Sequence, residues 1–100
     1  MPFLSIHTLT GDPDDLLQKK QTHMDPVVSR IAPEYGAIMS ITAKGPDGLI
    51  TVNLWESAEG SQAFTQRPEV QQAQSRSGLP RPATFDRYTE VYFEDYRHTK

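Results

Sequence analysis

The sequence predicts a single α+β domain in which strands and helices follow one another as β-α-β-β-α-β. Three observations lead there. Four short runs alternate apolar and polar residues with period two, two longer segments repeat apolar residues every three or four positions, and Gly- or Pro-containing turns separate them. A chain of 100 residues corresponds to one domain, spanning 1–100. Right-handed crossovers place both helices on one face of a four-stranded antiparallel sheet, the ferredoxin-like split arrangement.

Each element has its own signal. Phe3 to Leu9 is a strand with Leu4 and Ile6 on one side and Phe3, Ser5 and His7 on the other. Thr10 to Asp15 turns into a helix start: Asp12 suits the cap, Pro13 the first helical position, and Asp14 and Asp15 the positive end of the dipole. Leu16, Leu17, Lys20, Met24, Val27, Val28 and Ile31 then form one helical stripe, which Pro26 is expected to kink and Ala32 to Gly36 to stop. Ala37 to Ala43 and Leu49 to Trp55 are strands joined by the tight turn Gly45-Pro46-Asp47-Gly48. In the second of them Thr51, Asn53 and Trp55 share a face opposite Ile50, Val52 and Leu54. Ser57 caps a helix over Ala58 to Gln66, Arg67-Pro68 interrupts it, and Glu69 to Arg76 continues helically until Gly78 and Pro80. The last strand is expected from Phe85 to Tyr96, with Arg97 to Lys100 frayed.

Composition narrows the functional classes. Ten basic and 13 acidic residues give a formal charge of −3, with no basic stripe for a phosphate backbone, so nucleic acid is not an expected partner. Without cysteine there is no disulfide framework, thiol nucleophile or thiolate metal site. No stretch is long and apolar enough to span a bilayer, and the first residues lack a basic leader; a cytoplasmic protein with no membrane partner is expected. No Gly-rich phosphate loop and no spaced ligand cluster is present, so neither a nucleotide cofactor nor a metal is expected. Both sheet faces carry apolar or aromatic side chains, Phe3, Ile38 and Trp55 standing opposite Leu4, Ile6, Val52 and Leu54 or at the edge, and two helices can cover only one face. A homodimer joined through the sheets is therefore expected.

The run Pro46-Asp47-Gly48-Leu49, then Val52-Asn53-Leu54-Trp55-Glu56-Ser57, then Phe64 and Arg67-Pro68-Glu69, resembles the antibiotic biosynthesis monooxygenase-like family and, within it, a branch of small bacterial proteins. The similarity extends from about Asp25 to Leu79. It implies a dimeric α+β barrel, two ferredoxin-like chains with their sheets together and helices outside. It also implies a small aromatic molecule as partner: some members are cofactor-free oxygenases of aromatic polyketide phenols, while others degrade haem, cyclise or decarboxylate. One departure stands out. Many members carry histidine where this chain has Phe64, and no histidine lies between His23 and His98, which disfavours haem degradation.

The candidate catalytic group is His7, Asn53 and Trp55; candidate substrate contacts are Tyr35, Phe64 and Arg87. Each has a plainer role. Trp55 can close the strand against the second helix, or offer its indole N–H at a pocket wall. Asn53 is disfavoured at mid-strand and needs partners for its amide, whether protein or substrate. His7 shares its face in the neighbouring strand, and an unperturbed pKa near 6.5 makes it the best general base, although a lone histidine is commonly structural. Tyr35 seals a pocket or caps the core. Arg87 binds an anionic phenolate or pairs with an acid across the dimer. His23 and Asp25, two apart on a helix, diverge and form no ligand pair. This equipment suits an oxygenase without cofactor acting on a phenol, and equally a cofactor-free cyclase or isomerase, or a protein that only sequesters an aromatic molecule.

Overall fold

The computed structural model describes residues 2–94 and 96–98. Strands β1 (Phe3–Thr10), β2 (Ala37–Gly45), β3 (Gly48–Trp55) and β4 (Thr84–Thr89) form one antiparallel sheet in the order β2-β3-β1-β4. Helices α1 (Pro13–Lys19), α2 (Asp25–Ile31), α3 (Ala58–Thr65) and α4 (Pro68–Ser77) supply the two crossovers. This is the expected ferredoxin-like α+β fold, with β1 central beside β3.

The first crossover departs from a simple kink. Between α1 and α2 the chain makes a π-helical turn over Lys20–Met24, closed by the Asp25 N–H donating to the Lys20 carbonyl. Pro26 has no N–H and its ring crowds the carbonyl four residues back; widening the preceding turn by one residue accommodates it. The distortion thus falls a turn earlier than Pro26, and the helical stripe continues through it to a short 3-10 turn, Ala32–Tyr35, and to Gly36 at φ 89°. Asp12 occupies the N-cap position, but its side chain makes no capping bond. Ser57 does cap α3, accepting from the Gly60 N–H at 3.1 Å. Arg67 is extended (φ −65°, ψ 131°), so α3 stops and Pro68 opens α4 at a new angle.

The hairpin turn is built around Gly48, whose φ is 154°. A Cβ there would lie 1.8 Å from the Leu9 carbonyl oxygen of the adjacent strand, so glycine is the residue that fits.

The helices cover the face bearing Phe3 and Trp55. These two join Ile31, Ala32, Phe64 and Val70 in the core. The opposite face holds half-buried Leu4, Ile6 and Val52 and exposed Met39, Ile41, Ile50 and Tyr88. Ile38 sits at an irregularity in the β2–β3 register between Ala37 and Met39. The unpartnered surface is therefore made by the Leu4–Ile6–Val52 side of the strands, while Phe3 and Trp55 belong to the interior.

The last strand is shorter than expected. It ends at Thr89, and Glu90 turns the chain away at φ 56°. The reason lies in its partner: Thr89 pairs with Phe3, at the start of β1, and the next residue back is Pro2, which cannot donate to a ladder. Residues 91–94 are irregular and Tyr96–His98 form a short 3-10 turn; of that expected strand and tail, Asp95, Thr99 and Lys100 lie outside the described residues. Among the described residues no helix is long and apolar enough to cross a membrane.

Candidate functional site

The register of the sheet brings His7 and Asn53 together. Ser5 lies opposite Asn53 and His7 opposite Thr51 on the helix-covered face, so the His7 and Asn53 side chains meet on the diagonal. The Asn53 Nδ2 lies 3.3 Å from His7 Nε2, and Asn53 Oδ1 accepts from Ser40 Oγ at 2.7 Å. A continuous polar chain therefore crosses β2, β3 and β1. With the amide nitrogen facing it, Nε2 serves as the acceptor in this arrangement. The 3.3 Å separation is at the long end for a hydrogen bond, and so easily exchanged for a better partner.

The floor around this chain is polar. Ser5 and Thr51 are 3% and 6% exposed. Neither hydroxyl has a protein hydrogen-bond partner, yet no buried side-chain nitrogen or oxygen among the described residues is left unpaired. Both hydroxyls therefore border space that water reaches. The same holds for the indole N–H of Trp55, whose ring is otherwise in the core, tilted against Phe64 at a centroid distance of 5.2 Å.

Two cations flank the site. Lys20, on the π-helical turn, is held by Asp25 at 2.6 Å, and its charge acts on His7. On the other side Phe85 meets the His7 ring edge-on at 5.3 Å, and the Arg87 guanidinium lies 5.1 Å over Phe85. Burial, and secondarily Lys20, lower the pKa of His7 below its usual value. The consequence for folding has a definite sign. The unfolded chain takes up this proton more readily than the folded one, so stability falls as pH drops below about 6.5 and the loss levels off below the folded pKa. His7→Gln is expected to flatten that acid limb. Urea-unfolding midpoints from about pH 7.5 to about pH 5, compared with wild type, measure it; equal slopes would refute the assignment.

The remaining predicted residues divide. Phe64 is buried between Trp55 and Tyr35. Tyr35 packs on the core cluster, and its hydroxyl accepts from Arg67 Nη1 at 3.0 Å. Arg67 also donates to both carboxylate oxygens of Glu69, at 3.1 and 2.5 Å, which holds that carboxyl below its usual pKa. Tyr35 and Phe64 thus belong to the helix-side core. The structure brings together His7, Asn53 and, by way of Phe85, Arg87; Trp55 shares their sheet face but packs in the core against Phe64. Sequence reasoning missed Ser40, Lys20 and Phe85. A lysine inside an apolar helical stripe was a readable signal for Lys20; Ser40 and Phe85 depend on strand register.

Surface hollows lie elsewhere. One of about 650 Å³ runs along Val91–Glu94 and Tyr96, and a shallower one of about 290 Å³ along the outer side of α4; neither is lined by a predicted site residue. No group of three His, Asp or Glu among the described residues is placed to hold a metal ion. Helices α3 and α4 carry no histidine, and Phe64 packs in the core beside Trp55.

No protein-family model matches the chain, and no curated protein matches its sequence. Solved structures do match in fold. A candidate antibiotic biosynthesis monooxygenase from Chloroflexus aurantiacus superposes with a TM-score of 0.70 at 17% identity, over 95% of this chain and 98% of that one. A haem-degrading protein from Mycobacterium tuberculosis superposes at 0.61 and 21% identity, over 95% and 100%. SnoaB, a cofactor-independent oxygenase from Streptomyces nogalater, does so at 0.58 and 13% identity, over 92% and 93%. The chain has the fold of the antibiotic biosynthesis monooxygenase-like proteins.

Proposed function

We propose that this chain is a cofactor-independent oxygenase of a small, electron-rich phenolic molecule of the polyketide type. The observation that carries the reading is the Ser40–Asn53–His7 chain on the helix-covered sheet face, beside hydroxyls and an indole N–H that water reaches. The likeness in fold to a cofactor-independent oxygenase supports it, as does the motif spanning Val52 to Ser57.

Without flavin or metal, the substrate supplies the electrons. A phenol or anthrone hydroxyl takes the place of the long Asn53 contact and gives its proton to His7 Nε2, which is unprotonated at neutral pH. The Asn53 amide and the Lys20 charge stabilise the anion that remains. The anion passes one electron to dioxygen; the carbon radical and superoxide join into a peroxide, which takes a proton back from His7. Loss of water from the hydroperoxide leaves the new carbonyl, so each turnover consumes one dioxygen and releases one water. Arg87 over Phe85 borders the entrance and suits an acidic substituent. An oxygen electrode with anthrones and naphthols tests the reaction. Uptake above the uncatalysed rate that tracks quinone formation is the expected result; binding without uptake would leave a cyclase, an isomerase or a carrier.

The same proposal includes a homodimer joined through the uncovered sheet faces. Exposed Met39, Ile41, Ile50 and Tyr88, with Leu4, Ile6 and Val52 between them, form an apolar sheet surface of the kind that isolated domains rarely leave open. Sedimentation at micromolar concentration is expected to give twice the 11.3 kDa chain mass; a monomer would remove this part of the proposal.

A further inference from the structure

Lys19 and Lys20 are neighbours in sequence but find their acids in different ways. Lys19 pairs with Asp15, four residues back, at 3.0 Å, the ordinary spacing on a regular helix. Lys20 lies in the inward stripe with its side chain 19% exposed, and its acid is Asp25, five residues on, at 2.6 Å. On a regular α-helix residues five apart stand about 140° from one another around the axis. The neighbours of Lys20 at three and four residues are Leu16, Leu17, His23 and Met24, none of them acidic. The π-helical turn changes that. Its closing bond, from the Asp25 N–H to the Lys20 carbonyl, joins the same two residues as the ion pair and sets one above the other. The sheet offers no substitute carboxylate. Strand positions sharing the face of His7 hold no Asp or Glu, and the charged residues among them are the cations Arg87 and Lys44, the latter bound to Asp14.

We infer that Asp25 is a positioning residue: across the π-helical turn it anchors the Lys20 ammonium on the inner side of the helix, toward the polar part of the sheet that carries His7 and Asn53. A lysine covered to this degree and left without a partner extends its four-carbon stem until the charge reaches water. The carboxylate at 2.6 Å removes that drive and keeps the charge inside. The widened turn that accommodates Pro26 therefore has a second effect, since it alone brings an acid within reach of Lys20. The catalytic meaning rests on the oxygenase reading, in which the Lys20 charge steadies the substrate anion. The geometry of the anchor is independent of any substrate.

The titration midpoint of His7, followed by the NMR signals of its ring protons as pH is varied, reports where the Lys20 charge sits, because after burial that charge is what lowers it. Lys20→Met removes the cation and is expected to raise the midpoint. Asp25→Asn is expected to raise it as well, even though it deletes a negative charge, because the released ammonium swings out to water. Asp25→Glu, which keeps the carboxylate, is expected to stay closer to wild type than Asp25→Asn. A Lys20 that remained in place without its anchor would leave the midpoint of Asp25→Asn unchanged or lower it, and that result would overturn the inference. In the Lys20→Met background, Asp25→Asn is expected to cause no further shift; a second shift there would mean that Asp25 acts on its own, and would overturn it equally. Circular dichroism of each variant checks that the fold is kept. With an active phenol, Asp25→Asn and Lys20→Met should lower kcat by similar factors. Absence of uptake with every phenol would remove the oxygenase reading and leave the titration result standing.

Discussion

Asn53→Ala is expected to lower turnover of an active phenolic substrate by roughly 10²–10³-fold, the loss typical of removing one preorganised donor from a developing oxyanion. The variant should stay folded. Asn53 is half-buried, and its two partners have other recourse: Ser40 is exposed to water, and His7 borders the same water-reached space as Ser5 and Thr51. Removing a hydrogen bond whose partners can be rehydrated costs about 1 kcal/mol, against as much as ~3 kcal/mol when a buried group is orphaned. Thermal denaturation and oxygen uptake on the same preparation separate the two. A large loss of stability with no specific loss of turnover would make Asn53 a structural amide. A mid-strand asparagine is otherwise difficult to rationalise, since it forfeits the packing that a β-branched residue would provide at that position.

Much of this was legible because the relevant periodicities are local. Alternation in Phe3–His7 and Thr51–Trp55 placed His7, Asn53 and Trp55 on one face, and the order of elements placed the two strands side by side. The Ser57 cap and the break at Arg67-Pro68 follow from side-chain and φ/ψ chemistry within a few residues. What local pattern does not contain is register between strands. Whether Ser40 or Met39 lies opposite Asn53 depends on the irregularity between Ala37 and Met39, and that is set by tertiary fit. The end of β4 likewise depends on where β1 begins, and so on Pro2, ninety residues away in sequence from Tyr92. Which face the helices choose was hidden for a different reason. Both faces are apolar enough to be buried, and the decision rests on the volumes of Phe3, Trp55, Phe64 and Ile31 meeting as a group.

Trp55 tests whether a residue of that core also serves the site, and two substitutions divide its roles. Trp55→Ala should cost about 3–5 kcal/mol, because it empties the space between Phe3, Phe64 and Ile31 in a domain of only 100 residues. Against a total stability on the order of 5–15 kcal/mol, that places the variant near unfolding at ordinary temperature, and its activity would be uninformative. Trp55→Phe is the sharper experiment. It keeps an aromatic against Phe64 and should cost roughly 1–3 kcal/mol, while removing the one directional donor, an N–H that no protein group takes up. If that N–H meets a substrate oxygen, turnover should fall well beyond what the reduced folded fraction explains, and a phenolic ligand should raise the melting temperature of wild type more than that of the variant. If Trp55 is a core aromatic alone, both proteins should gain equally from the ligand and turn over at the same rate per folded molecule. The first outcome is expected, because a fully enclosed tryptophan would have its N–H paired, whereas no protein group takes up this one and it is not sealed from water.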